Sequence, residues 1–169
     1  MKIALLNDTH FGCRNDSPAF IEYQNKFYND LFFPYLQQHN IKTVIHLGDL
    51  MDRRKYVSIK TAKEFRERFM LPINHMKLDF HCLVGNHDIF FKNTNDVNSL
   101  RELIDGKSDK IKIYEDPTDV NIGGLDILFL PWITPQNQVY TEGMIDQTSA
   151  SIAMGHLEIK GFQMYKGIE

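Results

Sequence analysis

Four short apolar runs constrain what this chain can fold into: Ile3-Ala4-Leu5-Leu6, Val44-Ile45-His46-Leu47, Phe80-His81-Cys82-Leu83-Val84 and Ser151-Ile152-Ala153-Met154. Each has strand length, and each stops at a polar cluster. The clusters are Asp8-Thr9-His10, Gly48-Asp49-Leu50-Met51-Asp52-Arg53, Gly85-Asn86-His87-Asp88 and Gly155-His156. Helical patterns separate the first three runs, the alternation that builds α/β layers. In an open α/β sheet, ligands collect beyond the carboxyl ends of the strands. Four strand ends therefore deliver Asp, His and Asn to one place, the donor set of a divalent transition-metal pair. Two such ions about 3.5–4 Å apart clamp the attacking and leaving oxygens of an in-line phosphoryl displacement.

The connecting segments read as helices with punctuation. Ser17-Pro18 is a helix start, with Ser17 as N-cap and Pro18 in the first turn. Phe20, Phe27, Leu31 and Tyr35 follow at helical spacing, and Pro34 should kink or break that helix. A second helix is expected over 58–75, with Phe65, Phe69 and Met76 inward and its regular part ending at Pro72. A third covers Val97 to Ile104, capped by Asp96 or Asn95. The last third changes character: Ile111 to Tyr114, Val120 to Ile122 and Leu125 to Phe129 read as short antiparallel strands. No repeat or linker interrupts the chain, so a single domain is expected.

Composition bounds the rest. The 169 residues suit one domain with a real core. A formal net charge of −3 argues against a wholesale basic surface but allows a local basic patch. Cys13 and Cys82 lack metal-ribbon spacing and read as reduced thiols. No apolar run is long enough for a membrane span, and the N-terminus leads directly into a strand, so a cytoplasmic protein is expected.

Residue by residue, Asp8 and His10 sit two apart after a strand, and in extended geometry both face one ion. Arg53 and Arg54 read equally as a solvated pair or as a guanidinium contact to phosphate. Asn86 alone would be a turn residue, and His156 alone a structural one. His46 and His81 lie inside strands and read as core or face histidines; His39 and His75 fall at helix ends. Phe27, Phe32, Phe33 and Tyr35 read as core and packing surface. Of Phe90 and Phe91, at least one should be exposed near the site, because neighbours in an extended segment face opposite ways.

The ordered motifs D-x-H, G-D-x-x-D and G-N-H-D resemble those of the calcineurin-like metallophosphoesterases. Within that superfamily they are most similar to the nuclease subunit of double-strand-break repair complexes, in its T-even phage version. The resemblance implies a two-sheet sandwich flanked by helices. It implies two divalent metal ions, most fittingly manganese, held by Asp8, His10, Asp49, Asn86 and His156, with Asp49 bridging. His87 would act at the scissile phosphate as charge stabiliser or general acid, and Asp88 would orient His87. Implied partners are DNA, a second copy of the chain, and an ABC-type ATPase with a coiled coil, in the processing of DNA ends. The family's last motif, G-H-x-H, is missing: no histidine follows His156. The domain is therefore expected to be C-terminally truncated at Glu169, with weaker metal binding and poorer DNA cleavage than a longer form. A phosphatase on the same scaffold and a non-catalytic dimerisation module are the rival readings.

Overall fold

The structure, a computed structural model, describes residues 1–104 and 108–161. Four parallel strands, β1 (Ile3–Leu6), β2 (Thr43–His46), β3 (Asp79–Leu83) and β4 (Ile111–Tyr114), pair in sequential order. A second sheet has β6 (Leu125–Leu130) at its centre. There β5 (Thr118–Ile122) pairs antiparallel and β7 (Ile152–Gly155) pairs parallel. β4 is thus a fourth strand of the parallel sheet, not an antiparallel one. The third helix before it supplies the crossover that a parallel neighbour needs.

Alternation along the strands explains the layering. Val44, Phe80 and Cys82 point into a core shared with the helices, beside Phe65, Phe69, Ile73 and Leu100. Ile45 and Leu83 point the other way, into a smaller core with Ile122, Ile127 and Phe129 of the second sheet. Because both faces of the parallel sheet are covered, its strands read as continuous apolar runs rather than alternating ones. All three crossover helices contribute to the first core, so they share one face and the second sheet takes the other.

The first long helix runs through 18–38 and the second through 59–75. Neither breaks at its proline. Each contains a π-helical turn, Phe27–Phe32 and Arg66–Met70, and Pro34 and Pro72 fall in the first turn after it. A register change is already made there, so the missing N–H costs little. Both helices close on a left-handed residue, Asn40 (φ 50°) and Lys77 (φ 53°). The Ile41 N–H then reaches Leu36 O at 2.9 Å, and the Leu78 N–H reaches Ile73 O at 3.0 Å. These bonds satisfy the open carbonyls, and the two apolar residues that follow are buried.

Spacing found the helices better than their faces. Tyr28, Phe32, Phe33 and Leu36 are buried, whereas Phe20, Phe27, Leu31 and Tyr35 are exposed. The third helix, Ser99–Ile104, is capped by Asn98, whose Oδ1 accepts the Arg101 N–H at 2.9 Å, rather than by Asp96 or Asn95. A helix over Gln138–Gln147, absent from the sequence reading, leads into β7. No helix among the described residues is long and apolar enough to cross a membrane.

Candidate metal centre

The polar clusters meet beyond the carboxyl ends of β1, β2, β3 and β7. The loops after β1 and β2 run side by side: the Asp8, His10 and Phe11 N–H groups donate to the carbonyls of Gly48, Asp49 and Leu50 at 3.2, 3.1 and 2.8 Å. Asp8 and His10 are not extended here. Both have left-handed backbones (φ 51° and 44°), as does Asp49 (φ 55°). Asp8 and His10 do meet, with His10 Nε2 3.5 Å from Asp8 Oδ1, but through kinks rather than strand alternation. Left-handed non-glycine residues cost about 1–3 kcal/mol each and persist where the surroundings impose them.

Asp49 is the hub. Its carboxylate belongs to two groups whose potential ligand atoms each lie within 4.8 Å of one another: His10, Asp49 and His87, and Asp8, Asp49 and His156. Asp49 Oδ2 lies 3.7 Å from His10 Nε2, and Oδ1 lies 3.4 Å from His156 Nε2. The His87 backbone N–H donates to Oδ1 at 2.8 Å. Burial alone would push this carboxyl up; the hydrogen bonds and charge from His156 and His87 outweigh it and hold the group below the ordinary range. Two glycines make room. A Cβ on Gly85 would sit 2.2 Å from Asp49 N and 2.3 Å from its Oδ1, and one on Gly48 (φ 107°) would sit 2.7 Å from His156 Nδ1.

Backbone carbonyls set the imidazoles. His156 Nδ1 donates to Leu47 O at 2.9 Å, which turns Nε2 toward Asn86 Oδ1, also at 2.9 Å. Burial pushes the His156 pKa down, but its hydrogen bond and attraction to Asp49 more than compensate, and the net shift is upward. His87 Nδ1 donates to Asp52 O at 2.6 Å, leaving Nε2 free. Its ring meets that of His10 edge-on, with centroids 4.9 Å apart. Asp52 therefore supports the site twice, by its carbonyl at His87 and by its carboxylate 3.7 Å from His10 Nδ1. That His10 nitrogen is buried without a hydrogen-bond partner.

Asp88 is placed differently from expectation. The group against the His87 imidazole is the Asp52 carbonyl, not Asp88. The Asp88 carboxylate, fully buried, accepts N–H bonds from Met51 (2.9 Å), Gly85 (2.9 Å) and Leu50 (3.3 Å). It ties the loop carrying Asp49 to the loop carrying Asn86. Burial pushes its pKa up to about 6 against those stabilising bonds.

His46 was read as a core histidine and is one, yet it also carries the site. Its Nδ1 accepts the Gly48 N–H at 3.3 Å, so Nε2 holds the hydrogen and donates to Thr9 Oγ1 at 2.9 Å. The imidazole thus links the Asp8–His10 loop to the glycine before Asp49. Burial first, then the nearby His156, drives its pKa down to about 3. Its signal in the sequence was a polar ring in an apolar strand, three residues before Asp49.

Arg53 pairs with Asp16 at 3.2 Å, donates to Asn15 and lies over the Tyr56 ring at 4.9 Å. Arg54 Nε donates to Asn86 O at 2.7 Å, behind the amide that faces His156. Both arginines are therefore bonded within the site's loops. Phe90 and Phe91 are both exposed, edge to face at 4.8 Å.

The residues present suit divalent metal. A shared carboxylate, imidazoles with Nδ1 anchored to backbone and Nε2 turned into the cluster, and His10 Nε2 beside Asp8 and Asp49 form a mixed N/O donor set for two ions. Asp8, Asp49, His87 and His156 line a polar cleft of about 320 Å³ with Asn7, Asn86 and Leu157. Such a cleft can hold an anionic oxygen ligand against the metal face.

Known proteins point the same way. Exonuclease subunit 1 of Enterobacteria phage T4 is 33% identical over all 169 residues, and the chain spans 49% of that relative. Two solved structures match more loosely. One is the Aquifex aeolicus protein of unknown function AQ665, at 19% identity, 94% and 80% coverage of the two chains and TM-score 0.46. The other is the Pseudomonas putida nuclease MPE, at 18% identity, 74% and 51% coverage and TM-score 0.41. The profile of the calcineurin-like phosphoesterases matches residues 1–168, and with Asp49 at the hub of two ligand groups the chain belongs to that family.

Proposed function

We propose that residues 1–169 form the metal-holding part of a DNA nuclease that hydrolyses phosphodiester bonds. The observation that carries this reading is the Asp49 carboxylate shared between two ligand groups. Asp8 and His10 would hold one ion, Asn86 and His156 the other, and Asp49 both. When bound, the ion pair supplies Lewis-acid polarisation of the phosphate and an activated water. The chain's own residues do the rest. Leu47 O and Asp52 O fix the tautomers of His156 and His87. His87, with Nδ1 anchored, presents Nε2 as the atom that holds or delivers a proton to a leaving oxygen. Asp88 would act by position, holding the two loops in register.

The phage relative is by name a subunit, which favours a partnered assembly. We place the chain in a homodimer with an ABC-type ATPase, acting on DNA ends in recombination and repair in the cytoplasm of an infected cell. Manganese is the metal we assign on the family resemblance; the mixed N/O donor set suits Mn²⁺, Fe²⁺ and Zn²⁺ alike better than an all-oxygen magnesium site would.

The deciding experiment is manganese-dependent cleavage of linear duplex DNA by this chain and by a form extended past Glu169, each beside a His87→Ala control. Cleavage by either form that is lost in the control supports the reading. Hydrolysis of a nitrophenyl phosphate ester with no DNA cleavage by either form would make the protein a phosphatase instead.

A further inference from the structure

Two stretches that follow the metal-site motifs supply none of their ligands. They are Arg53-Arg54-Lys55-Tyr56, directly after Asp52, and Phe90-Phe91, starting two residues past Asp88. Tyr56 and Phe90 line one cleft of about 240 Å³, whose wall includes Val57 and Val97 and is largely apolar. Backbone bonds tie the Phe90 side of this cleft to the metal centre: the Ser99 N–H donates to Asp88 O at 2.8 Å, and the Phe90 N–H to Val97 O at 2.9 Å. The Phe91 ring meets that of Phe90 edge-on at 4.8 Å. On the Tyr56 side, the Arg53 guanidinium is held by Asp16 and Asn15 and lies 4.9 Å from the centre of the Tyr56 ring.

Tyr56 is 60% exposed and Phe90 40%, and the two rings make no contact with each other. Each therefore offers ring surface to a flat guest in the cleft. The volume falls below the about 300–1,000 Å³ of pockets that enclose a drug-sized ligand, so the cleft suits one planar group of a larger molecule. The charge around it has one sign in excess. Arg53, Arg54 and Lys55 put three consecutive cations on its lining, in a chain of formal net charge −3, against the single carboxylate of Glu102. Asp16 neutralises Arg53, but the Arg54 Nη nitrogens and the Lys55 ammonium have no hydrogen-bond or ion-pair partner among the described residues. Arg54 also joins the cleft to the metal centre. Its Nε donates to Asn86 O at 2.7 Å, and the Asn86 amide oxygen lies 2.9 Å from His156 Nε2.

We propose that this cleft is a base-stacking subsite that takes an unpaired nucleotide beside the scissile phosphate. The inference rests on the nuclease reading above and adds a substrate class to it: DNA that is single-stranded next to the cut, as at an overhang or a frayed end. A nucleotide carries a flat apolar ring and a phosphate in one unit, which matches aromatic wall and spare cations side by side. A peptide side chain supplies the ring without the charge. Stacking on Tyr56 and Phe90 accepts any base, because every base has a π-face. Arg54 and Lys55 hold backbone phosphate without reading sequence. A base inside a duplex is already stacked and paired, and it reaches the cleft only by leaving the helix. The cleft therefore discriminates by strandedness rather than by sequence.

The test is binding of two DNA probes to the whole chain in manganese, with His87→Ala in every sample so that nothing is cut. One probe is a short single-stranded oligothymidylate carrying a 2-aminopurine, whose emission falls when it stacks; the other is a blunt hairpin duplex. The parent is compared with Tyr56→Ala, Phe90→Ala and, as an exposed aromatic outside the cleft, Tyr140→Ala. The three side chains are exposed, and matching circular dichroism and manganese uptake establish that fold and metal centre are intact. The expected result is tighter binding of the single strand than of the hairpin, with quenched emission. Tyr56→Ala and Phe90→Ala should each weaken single-strand binding about 5–150-fold, the loss of one base–aromatic stack, and relieve the quenching. Tyr140→Ala should change neither. Single-strand binding that matches the parent in both cleft variants overturns the subsite and leaves the nuclease reading standing, as does an equal loss in Tyr140→Ala. A parent that binds neither probe overturns both.

Discussion

The two ends of the parallel sheet use left-handed backbone for different purposes. At the amino end, Asn40 and Lys77 are left-handed because they close helices, and their hydrogen bonds are those of an ordinary helix terminus. At the carboxyl end, Asp8, His10 and Asp49 are left-handed without closing anything. There the kinks aim side chains at one another, and the cost is met by loop-to-loop hydrogen bonds and by Asp88. β2 and β3 are thus finished for stability at one end and for ligation at the other. A matched pair of histidines shows this in miniature. His46 and His81 lie in adjacent strands on opposite faces of the sheet, and both are buried and held neutral. His46 joins the loops that carry Asp8, His10 and Asp49. His81 bonds Tyr114 at 2.7 Å between the sheets, away from the centre.

The largest expected effect comes from removing the hub. Asp49→Asn should abolish binding of both ions and lower cleavage roughly 10³-fold or more, because metal-assisted stabilisation amounts to several kcal/mol. His87→Ala should lower kcat about 10²–10⁴-fold while leaving manganese stoichiometry unchanged. Calorimetric titration with manganese, run beside kinetics, separates the two. A His87 variant that also loses an ion would make His87 a ligand with His10 and Asp49, and would move the acid role elsewhere.

Next in size is Gly85→Ala. The added methyl would overlap the Asp49 backbone nitrogen and carboxylate, neither of which can retreat while Asp88 holds both loops. A loss of about 1–3 kcal/mol in folding free energy is expected from overpacking, together with loss of metal binding. The counterpart at the other end of the sheet, Lys77→Gly, should be nearly silent in activity and neutral or mildly stabilising, by a few tenths of a kcal/mol up to about 1. Urea unfolding of the two variants tests the contrast directly.

Much of this was legible in the sequence, for reasons that also explain what was not. β1, β2 and β3 were visible as apolar runs because both faces of the first sheet are covered, and β7, in the second sheet, as a short apolar run before Gly155-His156. The meeting of the polar clusters was visible because they sit at strand ends, whereas the left-handed kinks that aim Asp8, His10 and Asp49 were not. The supporting contacts were hidden because they run through backbone carbonyls, as with Asp52 O and Leu47 O, and a carbonyl carries no residue signature. Asp88 was misplaced for a related reason: a carboxylate beside a histidine suggests a pair, whereas its oxygens are taken by three distant N–H groups. β4 was read as antiparallel because a four-residue run shows no direction. The second helix turns Phe65 and Phe69 inward as read, whereas on the first helix Phe20, Phe27, Leu31 and Tyr35 face solvent, because helical spacing marks a stripe without saying on which side the core lies.

The smallest effects should separate the two strand histidines. His46→Gln should lower activity more than stability, since it loosens the link between Thr9 and Gly48, whereas His81→Gln should cost about 1 kcal/mol of stability and leave cleavage unchanged. The pH dependence of stability sharpens this. In the unfolded chain an imidazole takes up its proton near pH 6.5; in the folded protein His81 does so only near pH 4, because burial and then Lys112 disfavour the charge. Between those values the unfolded state holds more protons, so stability falls as the pH drops through the window and is complete above it. His46 adds a similar loss reaching to about pH 3. His81→Gln should therefore flatten the fall between pH 6.5 and 4 in metal-free protein, measured by urea midpoints at half-unit steps. If the slope in that window is unchanged by the substitution, His81 is not held neutral by its burial, and the contrast between the two faces of the sheet fails.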